Sequence, residues 1–173
     1  LIASALGDII IPGEPGQVVS SPDNGGSTIE ERIGHSALRG QAKAAGLGEN
    51  LKPSKLIELA FTNLRAATRG EKVAIKKAKA ILDNATDYLA KSLSYFVQAH
   101  NVERKQIIVG GGIPLGIEKH GGKGAFLAML NKHLAKRCRA EELAQTQLAM
   151  ATFDNNLVGA SVLAQLNDPT SAL

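Results

Sequence analysis

The chain has 173 residues, 44% of them hydrophobic, which suffices for one domain burying roughly 70% of its unfolded surface. Aromatic residues make up only 3% and Trp is absent, so a core of Leu, Ile, Val and Ala is expected, which excludes an all-β sandwich and favours helix-rich α/β layers. The net charge of +4 is densest at Lys76-Lys77-Ala78-Lys79 and over 132–139, and neither run carries an aromatic for base stacking; both read as solvated helix faces rather than a nucleic-acid surface.

Leu1-Ile2-Ala3-Ser4 starts inside an apolar run without Met, which reads as a piece of a longer parent. The apolar runs Ile2–Leu6 and Ile9–Ile11 flank Gly7-Asp8 and predict a β-hairpin. Gly, Pro, Ser, Asn and Asp dominate from Pro12 to Gly26, a loop. A helix is expected from about Ser27 to Ala45, stopped by Gly46 and Gly48, and another from Pro53 to about Thr68 before Gly70. Between Lys72 and His100 the residues Ile75, Ala78, Leu82, Ala85, Leu89, Leu93 and Phe96 recur at three-and-four spacing, the pattern of a long, half-buried helix. Gln106–Val109 is a β-branched run ending at Gly110-Gly111-Gly112 and reads as a buried parallel strand. A second glycine-rich loop, His120–Gly124, precedes a helix from about Ala125 to Lys136. Leu148–Phe153 reads as a strand and Asn156–Leu166 as a closing helix capped by Asp154 or Asn155. The succession is that of a single α/β domain over 1–173. The lone Cys138 cannot pair internally, and no run reaches the roughly 18 apolar residues of a membrane span, so a cytoplasmic protein is expected.

Three groups of residues suit chemistry. Gly110-Gly111-Gly112 puts backbone free of side chains at the carboxyl end of a strand, where open α/β sheets place ligands and where amides approach a phosphate or a purine. The triplet is neither a Walker loop nor a GxGxxG fingerprint, and a tight strand exit is an equal reading. Gly13-Glu14-Pro15-Gly16-Gln17 holds a carboxylate and an amide in a stiff loop, groups that bond sugar hydroxyls. Glu30 has two competing roles: a ligand-facing carboxylate, or the Glu of a capping box opened by Ser27. His35, His100, His120 and His133 lack partners at metal-ligand spacing and read as surface or cap histidines; Cys138 has no activating base.

Ser4-Ala5-Leu6 and Ile9-Ile10-Ile11 precede Gly13-Glu14-Pro15-Gly16-Gln17; Glu30-Glu31-Arg32-Ile33-Gly34-His35-Ser36-Ala37-Leu38 follows. Ala85-Thr86-Asp87-Tyr88-Leu89-Ala90 then leads to Ile107-Ile108-Val109-Gly110-Gly111-Gly112-Ile113, and Asp154-Asn155-Asn156-Leu157-Val158-Gly159-Ala160-Ser161 comes last. This ordered series resembles the ROK family of glucokinase-like sugar kinases and sugar-responsive repressors, over nearly the whole chain. The resemblance implies the C-terminal domain of an actin-like ATPase (ribonuclease H-like) sugar kinase, with a mixed sheet flanked by helices and one long amphipathic helix. It implies that Glu14, Gln17 and Glu30 bind the sugar, that Gly110, Gly111 and Gly112 border the nucleotide, and that ATP and Mg²⁺ serve the intact parent in phosphorylating a hexose or related sugar.

Two departures modify those implications. Gln17 replaces the family's usual His, and Ser20–Gly26 replaces its cysteine-rich zinc loop, so zinc is not expected. The family's catalytic Asp and first phosphate loop would lie before Leu1, so no catalytic residue is assigned and turnover by this chain alone is not expected. The implied partners are a sugar and ATP, with no nucleic acid or membrane bound by this domain and a homodimer compatible with the family. A sugar-sensing repressor and a catalytically degenerate kinase remain as alternatives.

Overall fold

The computed structural model describes residues 10–11, 27–28, 32–99 and 105–151. Strand β1 (Ile10–Ile11) pairs antiparallel with β2 (Ser27–Thr28), Ile10 opposite Thr28. Then come α1 (His35–Ala44), α2 (Pro53–Ala60), α3 (Arg69–Ala99), β3 (Lys105–Val109), α4 (Gly112–Gly121), α5 (Ala125–Leu134), α6 (Ala140–Ala144) and β4 (Thr146–Met150). β3 and β4 run parallel, from Lys105 opposite Thr146 to Val109 opposite Met150. The described strands form these two separate pairs. The helix-rich α/β character expected from the composition is present. Residues 1–9, part of the expected hairpin, and 152–173, which include the expected closing helix, lie outside the described residues.

The helix expected from Ser27 starts instead at His35. Thr28, which would be the first helical residue, is a strand residue, so the helix does not begin at Ser27; Glu30 lies outside the described residues. Arg32 and Ile33 are helical, but Gly34 returns the chain to extended backbone, and the next intrahelical bond runs from Leu38 N–H to the Gly34 carbonyl at 3.0 Å. At the other end Gly46 acts as expected: at φ +71° its N–H donates to Lys43 O while Leu47 N–H donates to Ala42 O, closing the carbonyls of the last turn.

Helix α2 stops well short of Thr68. Phe61 N–H is shared between the Ile57 and Glu58 carbonyls and Thr62 N–H turns back to Leu59 O, which tightens and ends the last turn. Asn63 then accepts from Arg65 N–H at 2.9 Å, an Asx turn that leads the chain away. Thr68 opens the long helix: Thr68 N–H donates to Glu71 Oε2 at 2.7 Å and Glu71 N–H to Thr68 Oγ1 at 3.3 Å, a reciprocal capping box.

Helix α3 is the spine of the core. Ile75, Ala78, Leu82, Ala85, Leu89 and Leu93 are buried as their spacing requires; the Phe96 side chain lies outside the described residues. The second half is buried over a wider arc, for Thr86, Ala90, Ser92, Ser94 and Val97 are buried too. The polar members of that arc satisfy themselves on the helix, Thr86 Oγ1 donating to Leu82 O at 2.8 Å and Ser94 Oγ to Lys91 O at 2.7 Å. Against α3 pack Leu38 and Ala42 of α1, Leu56 and Ala60 of α2, and Phe126, Leu130 and Leu134 of α5. Removing one such leucine to Ala costs about 2–5 kcal/mol.

Helix α4, not foreseen in the sequence, fills the stretch between the two glycine-rich turns. Its glycines bring it close to α2: a Cβ on Gly116 would stand 2.9 Å from Ile57 Cδ1, and one on Gly121 2.6 Å from Phe61 Cε1. Glu118 then reaches forward from α4 to the start of α5, its carboxylate accepting from Gly124 N–H and, at 2.9 Å, from Phe126 N–H. The α5 dipole end is thereby capped by a carboxylate from the preceding helix.

Candidate functional site

A cleft of about 650 Å³ opens where the entry to α1, the start of α2, the middle of α3 and the β3–α4 turn converge. Its apolar lining includes Ile33, Ile57, Leu89, Ile113, Pro114 and Phe126. Ile108, expected inside a buried strand, is instead 56% exposed and faces the cleft, while its neighbour Val109 is buried. Successive residues of a strand point to opposite faces, so β3 has one face, with Ile107 and Val109, on the core and one, with Ile108, open to this cleft.

Gly110, Gly111 and Gly112 form one edge of the cleft, at the carboxyl end of β3, as the sequence pattern anticipated. All three are exposed, and a Cβ placed on Gly111 or Gly112 meets nothing within 4 Å. Gly111 has φ +108° and ψ 171°, a region essentially restricted to glycine. That conformation turns the strand directly into α4, whose first closing bond is Leu115 N–H to Gly111 O at 3.1 Å. No side chain caps α4. Pro114, at the third helical position, has no amide to satisfy, so Gly112 and Ile113 carry the helix-start N–H groups at the cleft edge.

The charged groups lining the cleft are of one sign. Lys52 and Lys119 line it together with His35 and His120, and no Asp or Glu is among the described lining residues. Beside the rim, Glu58 is held below the usual carboxylate range, first by its hydrogen bond from Lys55 and then by the charges of Lys55, His120 and Lys119. An apolar cleft with cations and free amides at its margin suits an anionic ligand with a flat apolar portion.

The sequence-derived residues divide sharply. Gly110, Gly111 and Gly112 come together on the cleft. Glu14, Gln17 and Glu30 lie outside the described residues. His35 and His120, read as surface or cap histidines, are exposed but stand on the cleft, and Lys52 and Lys119 were missed because lone cations on amphipathic helices carry no spacing signal. Among the described residues no group of three His, Cys, Asp or Glu is placed to hold a metal ion, and no helix is long and apolar enough to cross a membrane.

His133 departs most from expectation. The run 132–139 is not a solvated face: His133 and Leu134 are buried, Cys138 is buried, and Lys132 and Arg137 are tied to α3. The His133 side chain is 3% exposed, with Nε2 3.0 Å from Asp83 Oδ1 and Nδ1 2.6 Å from Asp87 Oδ1. The second approach is off the line of the ring N–H, so it is an ion contact rather than a straight hydrogen bond. Asp83 also accepts from Lys132 at 3.1 Å, and Asp87 from Arg137 at 2.7 Å. Partial burial pushes the Asp83 carboxyl up, but the hydrogen bonds and charges of His133 and Lys132 outweigh it and hold it below its ordinary value. Asp87 is likewise raised by burial and lowered further by Arg137 and His133.

No family model matches the chain, and no curated protein matches it. Among solved structures, the chain is similar to a candidate sugar kinase from Cytophaga hutchinsonii ATCC 33406, with a TM-score of 0.58 at 19% sequence identity. The similarity covers 89% of this chain and 50% of that one, so the chain spans about half the length of that protein. The likeness is one of fold: a helix-rich α/β arrangement similar to that of a sugar kinase.

Proposed function

We propose that the chain is the sugar- and nucleotide-facing portion of an ATP-dependent sugar kinase of the ROK type. The observation that carries this is the edge Gly110–Gly112, an open glycine backbone at the carboxyl end of β3 and the start of a helix without a side-chain cap, on a cleft lined by Lys52 and Lys119 with no carboxylate among the described lining residues. The fold likeness to a candidate sugar kinase supports the same reading.

In this reading the apolar lining takes the purine, and the glycine edge lets the ligand approach the backbone. The amides of Gly112 and Ile113 and the cations of the rim draw the phosphates toward α4. Glu14, Gln17 and Glu30 bond the sugar hydroxyls and orient one of them for attack on the terminal phosphoryl group. The base that accepts the hydroxyl proton comes from another part of the intact parent. Mg²⁺ would offset phosphate charge, but the described cleft offers it no carboxylate, so no step is assigned to it here. Zinc has no role in the reading, since Gln17 and Ser20–Gly26 lack the family's ligands.

The test is to titrate isotopically labelled chain with a non-hydrolysable ATP analogue and follow backbone amides. Shifts concentrated at Gly110, Gly111, Gly112 and Ile113 are expected. Saturable binding that leaves those amides unmoved would remove the nucleotide from this cleft.

A further inference from the structure

The structure holds a titratable group that the proposed chemistry does not use. His133 is buried in the seam between α3 and α5 and stands between two carboxylates of α3, one turn apart at Asp83 and Asp87. The charged groups around it come from both helices. Asp83 and Asp87 face it from α3; Lys132, from α5, donates to the same Asp83 Oδ1 that faces His133, and Arg137, from the turn that follows, donates to the other oxygen of Asp87. Arg137 also donates to the His133 carbonyl at 3.1 Å, which fixes the end of α5 to its own following turn.

We infer that His133 is a proton-operated latch between α3 and α5, closed when the imidazole carries both protons and weakened when it loses one. The geometry sets the logic. A doubly protonated ring is a donor at both nitrogens and a cation, so each nitrogen faces a carboxylate favourably. A neutral ring has one bare nitrogen, and wherever that lone pair falls it confronts a carboxylate oxygen at 2.6 or 3.0 Å, on a ring that is itself only 3% exposed. Lys132 and Arg137 cannot repair that loss, because each is already engaged with one of the two aspartates.

The sign of the pH effect follows. The imidazolium contribution is complete at lower pH and is lost as pH rises and His133 gives up its proton. Asp83 and Asp87 are held below their ordinary values, so their contribution is present above the usual Asp range and is lost on acidification. The latch therefore has an upper edge set by His133 and a lower edge set by the aspartates. It bears on the cleft through both helices: α3 carries Ala85, Thr86 and Leu89 in the cleft lining beside the two aspartates, and α5 carries Phe126. Nothing in the inference depends on what the cleft binds.

Two measurements on the whole chain test it. Nitrogen-15 spectra of the imidazoles, recorded from about pH 6 upward, should show His133 protonated at both nitrogens at the lower pH and losing one proton as the pH is raised. A neutral His133 at the lower pH overturns the latch without any variant. In parallel, the urea midpoint of the wild type should fall over the same rise in pH, while the doubly substituted Asp83→Asn, Asp87→Asn chain should show a flat profile. A flat wild-type profile, or an equal fall in the variant, overturns it as well. If the variant does not fold, the imidazole spectra and the wild-type profile still decide the question.

Discussion

Gly111 and Gly112 are neighbours on the cleft edge, yet the same substitution should do opposite things to them. Gly111→Ala places a Cβ on backbone at φ +108°, where side chains are strained by about 1–3 kcal/mol even though the space around it is open. Restricting the unfolded chain returns about 0.4–1 kcal/mol. The net is a loss of about 1–2 kcal/mol, or a fall in Tm of roughly 2–8 °C for a chain of this size. Gly112 has no such constraint: its φ is not positive, it is the first residue of α4, and an added methyl meets nothing within 4 Å. Gly112→Ala should therefore be neutral or gain up to about 1 kcal/mol. The methyl nonetheless stands on the edge along which the nucleotide is proposed to approach, and an overpacked contact of about 1–3 kcal/mol corresponds to about fivefold to a hundredfold in Kd. Urea unfolding of the two variants, with titration of the same ATP analogue, separates a conformational glycine from a ligand-facing one. Equal stability of Gly111→Ala and wild type would refute the backbone argument, and unaltered affinity in Gly112→Ala would refute the approach along that edge.

Gly121→Ala should destabilise by about 1–3 kcal/mol, because its Cβ would lie 2.6 Å from Phe61 Cε1 and 2.8 Å from Ala125 Cβ, whereas Gly116→Ala, crowded only by the mobile end of Ile57, should cost less than half as much; thermal unfolding of both checks the order. Glu118→Ala should lose about 1–3 kcal/mol by uncapping α5, with Glu118→Gln recovering part of it, read from urea midpoints. Between neutral pH and about pH 3, stability should fall as Asp83 and Asp87 are protonated, and Asp87→Asn should lessen the slope of Tm against pH. Incubated with hexose and ATP, the chain alone should release no sugar-dependent ADP, and steady turnover would overturn the assignment of the proton acceptor to another part of the parent.

The long helix was legible because seven apolar residues at regular spacing admit one answer, and β3 because a β-branched run stops at three glycines. Local chemistry that competes with periodicity was harder to read. Thr28 and the extended Gly34 broke the helix drawn from Ser27, and the Asx turn at Asn63 shortened α2. Helix α4 went unseen because Gly112, Pro114, Gly116 and Gly121 are poor helix formers; its stability comes from close approach to α2, a tertiary effect that propensity does not contain. Of the candidate site, the glycine edge was readable and the cationic rim was not. His133 looked like a surface residue because its partners, Asp83 and Asp87, lie fifty and forty-six positions earlier and only folding brings them to it.

The Glu118 carboxylate bears on how many anions this chain can hold. Two glycine-rich turns precede two helices, and from backbone alone either helix start could receive a phosphate. At the second, Gly124 and Phe126 amides are already engaged by Glu118, an internal ligand tethered to the same scaffold. A tethered competitor acts at an effective concentration of about millimolar or more, so a free phosphoryl compound of equal intrinsic affinity must reach that level merely to share the position. It must also leave behind a displaced carboxylate of its own sign. Self-occupancy thus sets the two turns apart: among the described residues the helix start after Gly124 is filled by Glu118, whereas the one after Gly111 has no side-chain cap.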